Sequence, residues 1–438
     1  MKRLRAALPA AVTLLFIAFV TTVAANHGTQ DDAVGMTHLS NSPKSGTTNS
    51  DLAFWGKLVF AGNYGGFRVI DASTPKKPVV LADVKCSGSQ GDVGIYGTPE
   101  RRLLFVSVDS PQSRGACSGP ADPNPWEGIR IWDVTDPANP QFVKAVSTDC
   151  GSHTHTVVPD HANRRAFIYV SSYILGAPAY RCPDSDGART HSKISIIEVS
   201  LAAPENARVV NEAALPSPNG CHDIGVFLEI KRAAAACITE GQIWDISDPV
   251  HPVVLHRIVN PSINIWHSGS FTWDGKYAVF GDEEGGAAMT HGCTPPRAPQ
   301  PGAVWFYEVA NPIVPAGFFT LPRAQGPGGE LTCTIHNYTV VPVRGKYLLL
   351  SAAYEAGTSL IDFTDPMNAR EIAYYDAKGM DGHPSANTWS SYWYNDLVYA
   401  NDISRGVDIF KLTDLTQLGG KTAKFAHLNP QTQWNLLD

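Results

Sequence analysis

Four histidines of this 438-residue chain recur at one spacing. His153 stands four residues before Val157 in HTHTV, and His222 four before Val226 in HDIGV. His267 stands four before Phe271 in HSGSF, and His336 four before Val340 in HNYTV. Each opens a short apolar stretch, so four imidazoles are expected at the entrances of four equivalent strands. Imidazole is the commonest side-chain ligand for zinc, copper, iron and nickel, and three or four converging rings suit any of them. A zinc ion with three protein ligands keeps an open position, where bound water has a pKa near 7. His155 follows His153 by two residues, so an extended strand points both rings to one side. No other copy carries a histidine there, which makes His155 either a partner of a ligand or part of the core.

Carboxylates are due at the same place. Asp109, Glu240, Asp282, Glu283, Glu355 and Asp402 end strands that run back towards the histidines. Of these, Glu240, Glu283 and Glu355 are expected to orient ligand histidines or act as a base. Other chemistries find no support: the chain has no GxSxG elbow, no HExxH, no CxxC and no glycine-rich phosphate loop after a strand. With 41 acidic against 34 basic residues and a net charge of -7, no nucleic-acid surface is expected.

The elements that position these residues form a repeat. FRVIDASTPKKPVVLADV (67–84) returns as IRIWDVTDPANPQFVKAV (129–146), ISIIEVSLAAPENARVV (194–210), GQIWDISDPVHPVVLHRI (241–258), VWFYEVANPIVPAGFFTL (304–321) and TSLIDFTDPMNAREIAYY (358–375), with a degenerate copy in GVDIFKLTDL (406–415). Each is a strand ending in an acid, a turn and a second strand. Proline presets the turn dihedral and aspartate caps its own backbone there. A hairpin precedes each copy, as in SGSFTWDGKYAVFGDE. Seven such units of four strands predict an all-β protein, a seven-bladed β-propeller of four-stranded antiparallel blades. The first strand of each unit lines the channel, and Ser50, Gly91 and Trp389 take the histidine position in units one, two and seven. Asp51 and Asp92 follow Ser50 and Gly91 directly. The propeller is expected over 50–428, with 26–49 before it and a tail at 429–438. Either GMTHLSNSP (35–43) or KTAKFAHLNP (421–430) supplies the outer strand of the last unit.

The strands FRVID, IRIWD, QIWDIS and TSLID, each ahead of a turn, resemble the LVIVD repeat of exported bacterial β-propellers. The resemblance covers nearly the whole mature chain and implies the fold, without implying a common reaction.

Residues 1–25, MKRLRAALPAAVTLLFIAFVTTVAA, have a basic start, an apolar stretch and a small-residue end, which predicts a secretory signal cleaved after Ala25. The mature protein is then secreted or periplasmic, with no later segment apolar enough to span a bilayer. In an oxidising compartment the eight cysteines should pair. Their placement within the repeat predicts Cys86–Cys117, Cys150–Cys182, Cys221–Cys237 and Cys293–Cys333. Long insertions at 110–128, 174–193 and 284–303 would wall the histidine face. Two classes of function fit. One is an exported binding or scaffold protein holding a divalent metal (zinc, copper, iron or nickel), a small polar ligand, a polymer or a partner protein. The other is a metal-dependent hydrolase or oxidase acting in the funnel.

Overall fold

The computed structural model describes residues 30–434 apart from 122–125, 150, 173–191, 218, 285–301, 324–331, 381 and 384. The expected signal segment and most of two insertions fall outside the described residues. Seven four-stranded antiparallel sheets form the ring of a β-propeller. Blade 3 shows the pattern: Thr154–Asp160, Arg165–Ser171, Lys193–Ser200 and Arg208–Ala214 follow one another from the channel outwards.

Inner strands are buried on both faces and outer strands are not. In blade 1, Gly66–Asp71 is almost wholly buried, whereas Val79 and Val80 on Val79–Lys85 are half exposed. This explains near-continuous apolar runs inside and mixed composition outside. In all seven blades the pairing between the third and outer strands shifts register once, as at Val69/Ile70 and Ile243/Trp244. Such bulges add twist. The acids that end third strands cap the following turn: Asp71, Asp133, Asp245 and Asp362 accept from the backbone N–H two residues on. They serve the fold and take no part in the site.

The two chain ends do different work. Met36–Pro43 pairs antiparallel with Gly406–Leu412 as the outer strand of blade 7, while Asp32–Val34 adds a fifth strand to blade 6. The C-terminal segment instead runs inside. His427–Leu428 pairs with Phe54 and Trp55 of blade 1, and Thr432–Gln433 runs parallel to Val226 and Phe227 of blade 4. Between them the Asn429 amide bonds both the N–H and the C=O of Ile95 in blade 2. Thr432 donates to Val157 O in blade 3, and Gln433 bonds Phe271 in blade 5. These contacts fall towards the far ends of strands whose near ends carry the histidines, so the tail crosses the channel opposite the histidine face.

Disulfides join Cys86 to Cys117 and Cys221 to Cys237. Cys333 is also disulfide-bonded. Its expected partner Cys293, and both Cys150 and Cys182, lie outside the described residues. No helix among the described residues is long and apolar enough to cross a membrane.

Candidate functional site

The histidines reach the channel mouth by local irregularity. His267 sits in a bulge, where pairing skips from Trp266 to Ser268, and the same skip frames Trp389 between Thr388 and Ser390. His153, His222 and His336 lie just before their strands begin. Their N–H groups still bond across the hairpin, to Ser171, Ala236 and Ala352 carbonyls. The four rings then form a continuous arc across blades 3 to 6. Ring centroids are 4.8 Å apart for His153–His222, 3.7 Å for His222–His267 and 4.5 Å for His267–His336. Trp389 and Tyr354 close the arc beyond His336, at 4.8 and 4.5 Å.

Hydrogen bonds assign the ring nitrogens. His153 Nδ1 lies 2.7 Å from Asp109 Oδ2, His222 Nδ1 3.0 Å from Asp223 Oδ1, and His336 Nδ1 2.5 Å from the Trp389 carbonyl. A carbonyl and an ionised carboxylate only accept, so Nδ1 of His336 carries the hydrogen and its Nε2 the lone pair. The same holds for His153 and His222 where Asp109 and Asp223 are ionised. His267 differs: its Nδ1 is buried without a partner among the described residues, and its Nε2 lies 3.6 Å from Glu283 Oε2. His336 Nε2 lies 3.5 Å from the other Glu283 oxygen. Both separations exceed a hydrogen bond. The Tyr354 hydroxyl donates to Glu283 Oε1.

Burial keeps His222, His267 and His336 neutral. The pKa values of His222 and His336 are pushed down to about 3, by burial first and also by neighbouring imidazoles. His267, between two other rings, is pushed well below its ordinary value for the same reasons. Burial also raises the carboxyls: Asp223 to about 7, with the Asp92 charge adding to it, and Glu283 above the usual range. Among the described residues, no lysine or arginine forms an ion pair with Asp109, Asp223 or Glu283. Neutral imidazoles beside uncompensated carboxylates are the environment a cation stabilises. Two groups of three could hold a metal ion, His222–Asp223–His267 and His267–Glu283–His336.

Other expected site residues serve elsewhere. His155 does share a face with His153, since both rings meet blade 2, but it lies deeper. Its Nδ1 is 2.8 Å from Ser107 Oγ and 3.0 Å from Asp92 Oδ2, and its side chain is fully buried. A Cβ on Gly94 would come within 2.8 Å of its Nε2, so the ring is packed into the joint between blades 2 and 3. Glu240 is engaged by Arg257 and Gln242. Glu355 accepts from Thr332 N–H and Ser385 Oγ, bracing two loops. Asp282 and Asp402 likewise accept backbone N–H groups. Only Asp109 and Glu283 of the strand-end acids face the histidines. Sequence reasoning missed Asp223 and Tyr354; the first was legible as an acid directly after a histidine, while the second gave no signal.

Below the arc, Asp51 and Asp92 face each other. Burial and the Asp92 charge raise the Asp51 carboxyl well above its usual range. Burial works in the same direction on Asp92, but His155 and a hydrogen bond from Asp51 together outweigh it and hold Asp92 low. Tyr392 and Gln431, the latter from the C-terminal tail, donate to Asp51.

No protein-family model and no curated protein matches the chain. Solved structures do. Hydrazine synthase from Kuenenia stuttgartiensis aligns at a TM-score of 0.52 and 13% identity, over 89% of this chain and 98% of that one. A functionally unknown protein from Desulfotomaculum acetoxidans DSM 771 aligns at a TM-score of 0.48 and 11% identity, over 77% and 86%. At such identities the likeness is one of fold alone.

Proposed function

We propose that this is an exported propeller of the LVIVD-repeat type that binds one divalent transition metal at the channel mouth, through His222, His267 and His336 with His153 completing the arc. The observation that carries the reading is the hydrogen-bond pattern at Nδ1. Metal-binding histidines characteristically donate the other ring N–H to a carboxylate or carbonyl, which fixes the tautomer and raises ligand basicity. His153, His222 and His336 each do so, with three different partners. A ring of polar filler has no need of one shared tautomer.

The metal in turn gives the protein a seat for a small polar ligand at the histidine face, with zinc, copper, iron and nickel all compatible with imidazole. Glu283 favours a second reading, a metal-dependent hydrolase or oxidase. A carboxylate beside the ion, raised by burial, is suited to take a proton from bound water or substrate.

The test is metal content after purification without chelators, then titration of the stripped protein with Zn²⁺ and Co²⁺. One ion per chain is expected, with at least tenfold weaker binding in His222→Ala and an unchanged far-ultraviolet spectrum. A chain that carries no metal and takes none up makes the arc a polar plug.

A further inference from the structure

Tyr354 stands out for its backbone. Its φ is 46°, in the left-handed region that bulky side chains seldom adopt. Two backbone hydrogen bonds to Thr388 of blade 7 hold it there, from Tyr354 N–H to Thr388 O (3.1 Å) and from Thr388 N–H to Tyr354 O (2.8 Å). The side chain is 1% exposed. This conformation lays its ring 4.5 Å from that of His336 and brings its hydroxyl onto Glu283 Oε1. Backbone strain of this sort persists where the surroundings over-determine it, and it gathers at functional sites.

Glu283 needs such a partner. Its two oxygens face Nε2 of His336 and of His267 at 3.5 and 3.6 Å. The His336 nitrogen carries a lone pair, because Nδ1 of that ring donates to the Trp389 carbonyl. A lone pair and a carboxylate oxygen repel, so His336 does not orient the carboxylate when no ion is bound. The Tyr354 phenol O–H donates to it directly.

Resting on the metal reading above, we propose that Glu283 joins His267 and His336 as a ligand and that Tyr354 is a positioning residue of the centre, whose hydroxyl holds Glu283 with one oxygen towards each of the two rings. Its strained backbone is then the means of reaching Glu283 across a blade boundary.

The experiment loads the stripped full-length protein with Co²⁺ and records affinity and the visible d–d spectrum. Tyr354→Phe keeps the ring and should weaken binding about 10- to 100-fold, the usual effect of losing an outer partner of a metal ligand. It should also shift the d–d bands. Tyr338→Phe is the control: that phenol bonds the Ser268 and Val279 carbonyls, so its loss should lower stability but leave the bands unmoved. Wild-type affinity and spectrum in Tyr354→Phe would overturn the assignment. Should that variant not fold, Glu283→Gln must show the same spectral change, and an unchanged spectrum overturns the assignment equally. Failure of the unsubstituted protein to take up Co²⁺ sinks the metal reading itself, and is distinguishable because it precedes any substitution.

Discussion

Acid should loosen the C-terminal plug through one residue, His427. Its ring lies 4.7 Å from Trp55, nearly parallel, and 4.6 Å from Trp434, with His161 at 6.3 Å. Burial, and secondarily the His161 charge, push its pKa from 6.5 down to about 4. A depressed folded-state pKa means that the unfolded chain binds the proton more tightly. The stability this group permits is therefore whole above pH 6.5 and lost as pH falls towards 4. At about 1.4 kcal/mol per pH unit, docking should weaken by about 2 kcal/mol between pH 7.5 and pH 5, approaching about 3.5 kcal/mol well below pH 4. The amides of Val226 and Leu228 report the event directly, since they donate to Gln431 O and Gln433 O of the tail. In His427→Phe the stack on Trp55 remains but cannot titrate. Hydrogen exchange at those two amides, read as the ratio of wild type to variant so that intrinsic pH effects cancel, should rise about 30-fold from pH 7.5 to pH 5. A ratio that stays flat would show that His427 is neutral for some reason other than burial, or that the tail opens independently of it.

Other perturbations separate the roles of neighbouring parts. Asn429→Ala removes a buried amide that satisfies both backbone groups of Ile95 and should cost about 1–3 kcal/mol in denaturant unfolding without changing metal content. Gly94→Ala would place a methyl 2.7 Å from Val157 Cγ2 and 2.8 Å from His155 Nε2, with an expected cost of about 1–3 kcal/mol by thermal melt. His155→Ala should lower stability yet leave Co²⁺ binding within threefold, because the ring contacts Ser107 and Asp92 rather than the arc. His155→Ala abolishing Co²⁺ uptake while His222→Ala spares it would reverse the two assignments.

The repeat was legible because its signals are local. Asp-Pro turns, strand-ending acids and hairpins are each written within a few residues and recur in most blades, so insertions between them hide the period without erasing it. The histidine register was legible for the same reason: it is a position within the repeat, and His153, His222, His267 and His336 do come together as neighbouring rings. What sequence could not supply is the identity of each ring's partner. Strand-end acids look alike along the chain, yet Glu240 is held by Arg257 seventeen positions away, whereas Glu283 faces two imidazoles. The difference is made by a cation on the adjacent outer strand, across a sheet register that shifts at its bulge. Tyr354 was invisible for a deeper reason. Its role comes from a left-handed backbone locked by a strand of the next blade, and no residue type announces that conformation when the residue is not glycine. The tail was misleading in a different way, since HL and TQ carry too few residues to show strand periodicity. They pair because the open inner edges of blades 1 and 4 offer ready partners, and because Asn429 and Gln433 spend their amides on backbone groups the channel would otherwise leave bare. A segment that crosses one end of the channel leaves the histidine face as the approach to the arc.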